Sequence, residues 1–134
     1  MSYIPPSGTP VLVWGNTSIA AAADTRFLTP GFTNQTAQTS SIGAVGLRSG
    51  VLRSFRVRHN SANGNGNNVV YDVRVNGVPQ GLGLTLASGA IGGAADLVTA
   101  IAVPAGALLE VTASKALGIG SGGLDVVFSC DFAG

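Results

Sequence analysis

Residues 50–77, GVLRSFRVRHNSANGNGNNVVYDVRVNG, decide the fold of this chain. On either side of an Asn/Gly-rich loop, apolar and polar residues alternate with a period of two, which predicts two β-strands with one apolar face each. The apolar set of the second strand is Val69, Tyr71, Val73 and Val75. The loop at 60–68 is typical of a turn, so we expect the two strands to form a hairpin. Asn76-Gly77 predicts a type I′ turn into a further apolar run.

The first strand of this stretch carries a charge on its apolar side. Its apolar residues are Val51, Phe55 and Val57, and strict alternation places Arg53 with them. A buried guanidinium needs a partner, because removing an unpaired charge from water is costly. We expect a neighbouring subunit to supply that partner. His59, where the strand enters the loop, is expected to be a solvated strand-end residue.

Arg53, Arg56 and Arg58 lie close together on this strand, although the net charge of the chain is only +1. Nucleic-acid binding requires a larger basic face that neutralises phosphates. In a hairpin, Asp72 and Arg74 of the second strand would lie opposite these arginines, so we expect cross-strand ion pairs on a solvated sheet. The sequence therefore predicts no nucleic-acid partner.

Short apolar runs separated by turn signals continue through the rest of the chain. Further strands are predicted at 11–14, 40–47, 80–86, 96–103, 108–114 and 124–132. The polar segment 32–39 and the Gly/Ala-rich segment 88–95 predict loops, and the one helix-like patch, at 17–27, is equally compatible with a strand. Eight to ten short strands at this spacing predict an all-β antiparallel sandwich.

The two ends of the chain have different expected roles. Residues 1–10 carry three prolines and no periodicity, so we expect an extended arm followed by a single domain at 11–134. The first residues lack a secretory signal, and no run of about eighteen apolar residues occurs, so we expect synthesis in a cytoplasm and no membrane partner. The lone cysteine, Cys130, excludes an internal disulfide and lies on the apolar face of the closing strand.

The chain is poor in charge. Of its 134 residues, 46% are hydrophobic and 10% are charged, whereas charged residues make up about a quarter of a typical globular protein. Such a surface suits a protein that is packed against copies of itself or against a larger body. A monomer covered by small neutral residues is the alternative.

No motif predicts catalysis or metal binding. GIGSGG at 118–123 matches the dinucleotide-binding pattern, but a strand follows where that pattern needs a helix. A single histidine provides no spare base for a Ser-His-Asp triad, and the six carboxylates are never adjacent in sequence. The loop at 60–68 offers amide oxygens to calcium but no carboxylate. We therefore expect no enzyme, no catalytic residues, no cofactor and no metal.

Three phrases of the sequence follow one another in a known order. They are GVLRSFRV at 50–57, VRVNG at 73–77 and VPAGALLEV at 103–111. This order resembles the trimeric jelly-roll head domains related to complement and tumour necrosis factor, which also occur in bacterial collagen-like surface proteins and tailed-phage virion proteins. The resemblance covers the chain from Gly50 onward and implies a jelly roll that forms a homotrimer. Ala107 stands where the family commonly has aspartate, which removes a carboxylate from that loop.

The resemblance and the low charge together favour a structural virion protein. In this hypothesis the chain is a decoration, or cement, protein that trimerises on the exterior of a tailed-phage capsid and bridges subunits of the major capsid protein. We expect the arm to contact the shell through Tyr3, Ile4, Pro5 and Pro6. Candidates for the seam between subunits are Trp14, Phe27, Phe32 and Arg53, with core packing an equal alternative for the three aromatic residues.

A second hypothesis is a receptor-binding head of a tail fibre or spike that recognises a host glycan or protein through its loops. Such a head needs a shaft or an attachment domain, and we recognise neither in the sequence. The candidate loops at 60–68, 88–95 and 118–123 also lack the aromatic residues that glycan sites usually present. We therefore expect the capsid role first and the receptor role as the alternative.

Overall fold

The computed structural model describes residues 10–20, 23–41, 43–45, 48–60, 68–87, 92–116 and 125–134. These residues form two six-stranded sheets that pack face to face, which confirms the predicted β-sandwich. The strands are β1 (Val11–Ser18), β2 (Thr25–Phe27), β3 (Gly31–Thr36), β4 (Ala44–Val45), β5 (Gly50–His59), β6 (Val69–Val75), β7 (Val78–Pro79), β8 (Leu84–Leu86), β9 (Gly92–Asp96), β10 (Ile101–Val103), β11 (Leu108–Ser114) and β12 (Val126–Ala133). Within those ranges, no helix is long and apolar enough to cross a membrane.

The order of the strands is that of a jelly roll. Sheet A has the order β10-β5-β12-β1-β3, with β9 also on β5, and sheet B has the order β2-β11-β6-β7, with β4 on β11 and β8 on β6. From β5 to β12 the chain crosses repeatedly from one sheet to the other, as in double-sheet jelly rolls. Every pairing is antiparallel except that of β1 with β3.

The predicted hairpin between β5 and β6 is wrong. β5 pairs with β9, β10 and β12 in sheet A, whereas β6 pairs with β7, β8 and β11 in sheet B. Asp72 therefore lies opposite Thr112 and Arg74 opposite Glu110, so neither forms the predicted cross-strand pair with an arginine of β5. The alternation was compatible with both arrangements, because it fixes which face of a strand is buried and not which strand lies beside it.

The predicted buried face of β6 and the predicted type I′ turn after it are both confirmed. The four apolar residues of β6 are buried, as are Leu82, Leu84 and Leu86. Asn76 and Gly77 have φ angles of 51° and 80°, which is the left-handed pair that a type I′ turn requires. The turn leads into β7, where Val78 pairs with Val75.

The core lies between the two sheets and is centred on aromatic rings. The centroid of Phe128 is 6.3 Å from those of Trp14, Phe55 and Tyr71. Cys130 is buried beside them as predicted, and burial, with a smaller effect of the Asp131 charge, raises the pKa of its thiol to about 12. Each large apolar side chain buried here contributes about 1.5–3 kcal/mol of transfer free energy.

Two segments predicted as loops are strands. The polar segment after Pro30 forms β3, an edge strand that pairs with β1 alone, and an edge strand exposed to water needs no apolar face. The Gly/Ala-rich segment contributes β9, which pairs with β5. Polar residues in β3 and small residues in β9 leave both strands without the alternation of apolar and polar side chains that predicts a strand.

The predicted strand at 96–103 is interrupted by a turn. One carboxylate oxygen of Asp96 accepts hydrogen bonds from the N–H groups of Val98 and Thr99, both at 2.9 Å, and the other accepts one from the Thr99 hydroxyl at 2.6 Å. This Asx turn ends β9, and strand structure resumes only at Ile101. Unbroken alternation over 96–103 would bury Leu97 together with Ile101, but Leu97 is exposed.

Candidate docking surface on sheet A

The outer face of sheet A carries three exposed arginines because β5 contains a bulge. Ser54 has a φ of 54°, and the register with β12 shifts between Ser129 and Asp131. The extra residue inverts the alternation, so that Arg53, Arg56 and Arg58 all face solvent. The prediction that Arg53 lies on the apolar side is therefore wrong.

No carboxylate of the described residues forms an ion pair with these arginines, although Asp131 of β12 lies opposite Arg53. In the part of the chain that the structure describes, the ion pairs join Asp24 to Arg26 and Lys115, and none involves an arginine of β5. Each guanidinium has five N–H donors in a planar fork that matches a carboxylate or a phosphate. The face therefore presents positive charge and hydrogen-bond donors to a partner.

Two of the arginines border a shallow groove of about 560 Å³. Arg56 pairs with Ala95 and Arg58 with Gly93, so that β9 contributes a floor without bulky side chains. On the other side, Val127 and Ser129 of β12 complete the lining. An extended segment or a small acidic group can therefore reach both guanidinium groups.

Apolar side chains continue the same face beyond the arginines. One row runs across the sheet through Phe32, Gly15, Val127, Arg58 and Gly93. Phe32 lies over Gly15, where an added Cβ would come within 2.6 Å of its ring, and it remains 52% exposed. Val11 and Val13 of β1 are also exposed. We call the surface formed by these side chains the arginine face; its members are Val11, Val13, Phe32, Arg53, Arg56, Arg58 and Val127.

The outer face of sheet B differs because it is partly covered by the chain itself. Phe27 pairs with Thr112 on this face, and the guanidinium carbon of Arg74 lies 5.2 Å from the centre of its ring. The Ser41 hydroxyl donates a hydrogen bond to the buried carboxylate of Glu110. Among the described residues, contacts within the chain therefore hold Phe27, Arg74 and Glu110 of this face, although Val45, Val70 and Val78 of sheet B remain exposed.

The residues predicted for interfaces are dispersed in the structure. Trp14 lies in the core and Phe27 is buried on sheet B, so packing within the chain accounts for both. Phe32 and Arg53 are exposed on the arginine face, with β1 and β12 lying between their strands. Contacts of these residues with another subunit stay a prediction. The arm residues Tyr3, Ile4, Pro5 and Pro6 lie outside the described residues.

Arg56 and Arg58 were predicted to lie on a solvated sheet, but neither was predicted to share a docking surface with Val127. The signal for the arginines was present in their spacing of two along a strand. Their grouping with Val127 depends on β12 lying beside β5, and spacing along the chain carries no information on that neighbour.

A second polar cluster closes one end of the sandwich. Lys115 is buried, and its Nζ donates hydrogen bonds to the carbonyls of Ile19 and Ala20, at 2.7 and 3.1 Å, and lies 3.1 Å from the Asp24 carboxylate. Arg26 donates to the same carboxylate at 2.7 Å. The partners of Lys115 hold its ammonium in place, so that it ties the β1–β2 connection to β11 and is poorly placed to act as a nucleophile.

The pKa values of this cluster follow from its burial and charges. Partial burial opposes ionisation of Asp24, but the hydrogen bonds and charges of Lys115 and Arg26 outweigh it and lower the pKa of this carboxyl. Burial lowers the pKa of Lys115, although the Asp24 carboxylate opposes this effect. The arrangement is structural, because the shared carboxylate joins β2 to the end of β11 within sheet B, while the Lys115 ammonium binds the carbonyls that follow β1 of sheet A.

The prediction that His59 is solvated is wrong. Regular alternation after the bulge places His59 on the inner face of β5 with Phe55 and Val57, where it is 1% exposed and its Nε2 lies 2.5 Å from the Tyr71 hydroxyl oxygen. Burial also raises the pKa of Tyr71 well above its ordinary value. The two residues thus form a polar contact between the sheets.

The comparisons with known proteins add no functional residues. Across the described ranges, no group of three or more His, Cys, Asp or Glu side chains is arranged to hold a metal ion. No protein-family model matches the chain, and a search of curated proteins found no significant relative.

Proposed function

We propose that this chain is a structural virion protein that forms a homotrimer and decorates the exterior of a tailed-phage capsid. The observation that carries the proposal is the arginine face, a sheet surface that combines three exposed arginines, none of them in an ion pair with a described residue, with exposed valines and a phenylalanine. Arginine and aromatic residues are enriched at protein interfaces, whereas lysine and acidic residues are depleted. The resemblance to trimeric jelly-roll heads supports the choice of a virion protein.

The proposed mechanism is bridging. The arginine face would lie on the major capsid protein, with its guanidinium forks bound to carboxylates and its apolar row buried against the shell. The arm residues Tyr3, Ile4, Pro5 and Pro6 would reach an adjacent capsid subunit. Three linked copies bind with an effective concentration that a single copy lacks, so weak contacts sum to a stable attachment that reinforces the shell.

The test is cosedimentation with heads of the encoding phage, prepared without this protein. We expect the wild-type chain to bind and the triple variant with Gln at 53, 56 and 58 to lose binding by about a hundredfold or more, because each charge-assisted contact is worth about 1.5–3 kcal/mol. The matched triple Lys variant keeps the charge without the fork and should bind with intermediate affinity. A wild-type chain that is monomeric and does not bind these heads would overturn the proposal.

The alternative is a receptor-binding head, and the groove between Arg56 and Arg58 is the observation that favours it. Its small-residue floor gives a carboxylate-bearing sugar access to two guanidinium groups. A glycan array decides between the two functions. Binding of acidic glycans that is lost in Arg56→Gln, together with no affinity for the capsid, would favour the receptor role.

A further inference from the structure

One margin of the sandwich presents a rigid apolar projection. Leu97 and Val98, in the turn between β9 and β10, are 62% and 93% exposed. The three hydrogen bonds to the Asp96 carboxylate fix the backbone of this turn. A turn that is already ordered loses little conformational entropy when it binds. We call these two residues the knob.

An apolar groove of about 480 Å³, which we call the hole, lies elsewhere in the sandwich. It opens between β1 and β12 of sheet A and β4 and β11 of sheet B. β3 pairs with β1 only from Trp14 onward, so the first residues of β1 are left without a neighbour on that side among the described strands. Its principal lining residues are Pro10, Leu12, Val45, Arg48, Leu109 and Phe132.

The knob and the hole are complementary in character. Both are apolar, and the hole is large enough for two aliphatic side chains. The base of the knob carries the Asp96 carboxylate, and the rim of the hole carries Arg48, whose guanidinium carbon lies 5.9 Å from the centre of the Phe132 ring. The Asp96 carboxylate beside the knob and the Arg48 guanidinium beside the hole would attract each other in the docked state. This attraction favours the orientation in which the knob enters the hole.

The knob does not enter the hole of its own chain. Leu97 and Val98 are 62% and 93% exposed, so neither side chain occupies a groove of the same subunit. An occupant that supplies the knob must therefore be another copy of the chain.

We propose that the knob of one subunit, Leu97 and Val98, inserts into the hole of the next. Each subunit then gives one knob and one hole, and such a head-to-tail contact closes into a ring when the rotation per contact permits. The inference rests on the proposed homotrimer and specifies its contact. It leaves the arginine face available to the shell.

The first experiment measures oligomeric state by native mass spectrometry and sedimentation. Wild type is expected to be a trimer, and Val98→Asp and Val45→Asp monomers, because each buries a carboxylate in an apolar contact. The matched control Val78→Asp changes an exposed valine of β7 that belongs to neither the knob nor the hole, and it should remain a trimer. Circular dichroism confirms that each variant is folded, and the milder Val98→Ser should weaken association by about tenfold.

The second experiment mixes the two disrupted variants. The Val98→Asp chain keeps its hole and the Val45→Asp chain keeps its knob, so an equimolar mixture should give a heterodimer with one intact contact and no closed ring. A wild-type monomer would overturn both this inference and the proposed homotrimer. A wild-type trimer whose Val98→Asp and Val45→Asp variants stay trimeric, or a mixture that yields no heterodimer, would overturn the knob-and-hole contact alone.

Discussion

Asp24 is a single carboxylate shared by two cations, and its position explains why the chain keeps its one lysine in the interior. Along β11 the inward-facing residues end with Lys115, whose long side chain reaches the carbonyls of the β1–β2 connection. Carbonyls at the end of a strand that enter the protein interior need donors. At the residue scale, the lysine satisfies these acceptors and the aspartate compensates its charge.

We expect Asp24→Asn to destabilise the protein by about 2 kcal/mol at neutral pH, because it leaves a buried ammonium without its counter-ion. The pKa of Asp24 is lower in the folded state than its ordinary value of 3.8. The folded state therefore binds fewer protons between the two values, and the stabilisation is complete above 3.8 and lost as the pH falls through the folded-state pKa.

Urea denaturation of wild type and variant from pH 7 to pH 2 measures this effect. The difference in unfolding free energy should shrink below pH 3.8. Asp125→Asn serves as the control and should change stability by less than about 0.5 kcal/mol. A difference between wild type and Asp24→Asn that is constant over the whole pH range would contradict the assignment.

At the scale of elements, the β6–β7 turn is stabilised by the conformation of Asn76 and by the hydrogen bonds of Asn76 to β11. Asn76 adopts a left-handed φ, its N–H donates to the Leu108 carbonyl at 2.9 Å, and its side-chain oxygen accepts from the Leu108 N–H at 2.9 Å. The turn thus extends the pairing of β6 with β11 by one residue. Asparagine is suited to both tasks, because it tolerates the left-handed region and carries an acceptor.

A series of substitutions at position 76 separates the contribution of the left-handed φ angle from that of the side-chain hydrogen bond. Asn76→Ala loses both and should cost about 1–2 kcal/mol, whereas Asn76→Gly loses only the side-chain hydrogen bond and should cost about 1 kcal/mol or less. Asn76→Asp keeps both and should stay near wild type. Chemical denaturation gives the three values, and an Ala variant as stable as the Gly variant would show that the φ angle is unimportant.

The sequence allowed the sandwich, the faces of β6 and the type I′ turn to be predicted, because each depends on residues that are close along the chain. Partners of strands could not be predicted, and β5 and β6 were therefore paired wrongly. The candidate surface was only partly predictable for a related reason. A one-residue bulge at Ser54 reverses the faces of the residues before it, and serine carries no strong sequence signal for a bulge.

At the scale of the whole molecule, the core is accessible only when the sandwich opens. Cys130 is fully enclosed, and burial is the main reason that the pKa of its thiol is raised to about 12. We expect a thiol reagent at pH 8 to label the native protein at least about a hundredfold more slowly than the protein in concentrated guanidinium chloride. Equal rates in the two conditions would show that the core is open to solvent.

The position of β12 has a consequence for how the molecule assembles. β12 lies between β1 and β5, and without it sheet A is two separate ribbons, β1 with β3 and β5 with β9 and β10. While the polypeptide is being synthesised, these ribbons have no hydrogen bonds in common until residues 126–133 leave the ribosome. Sheet A is therefore completed only after translation has passed β12, and the nascent chain must be kept from aggregating until then.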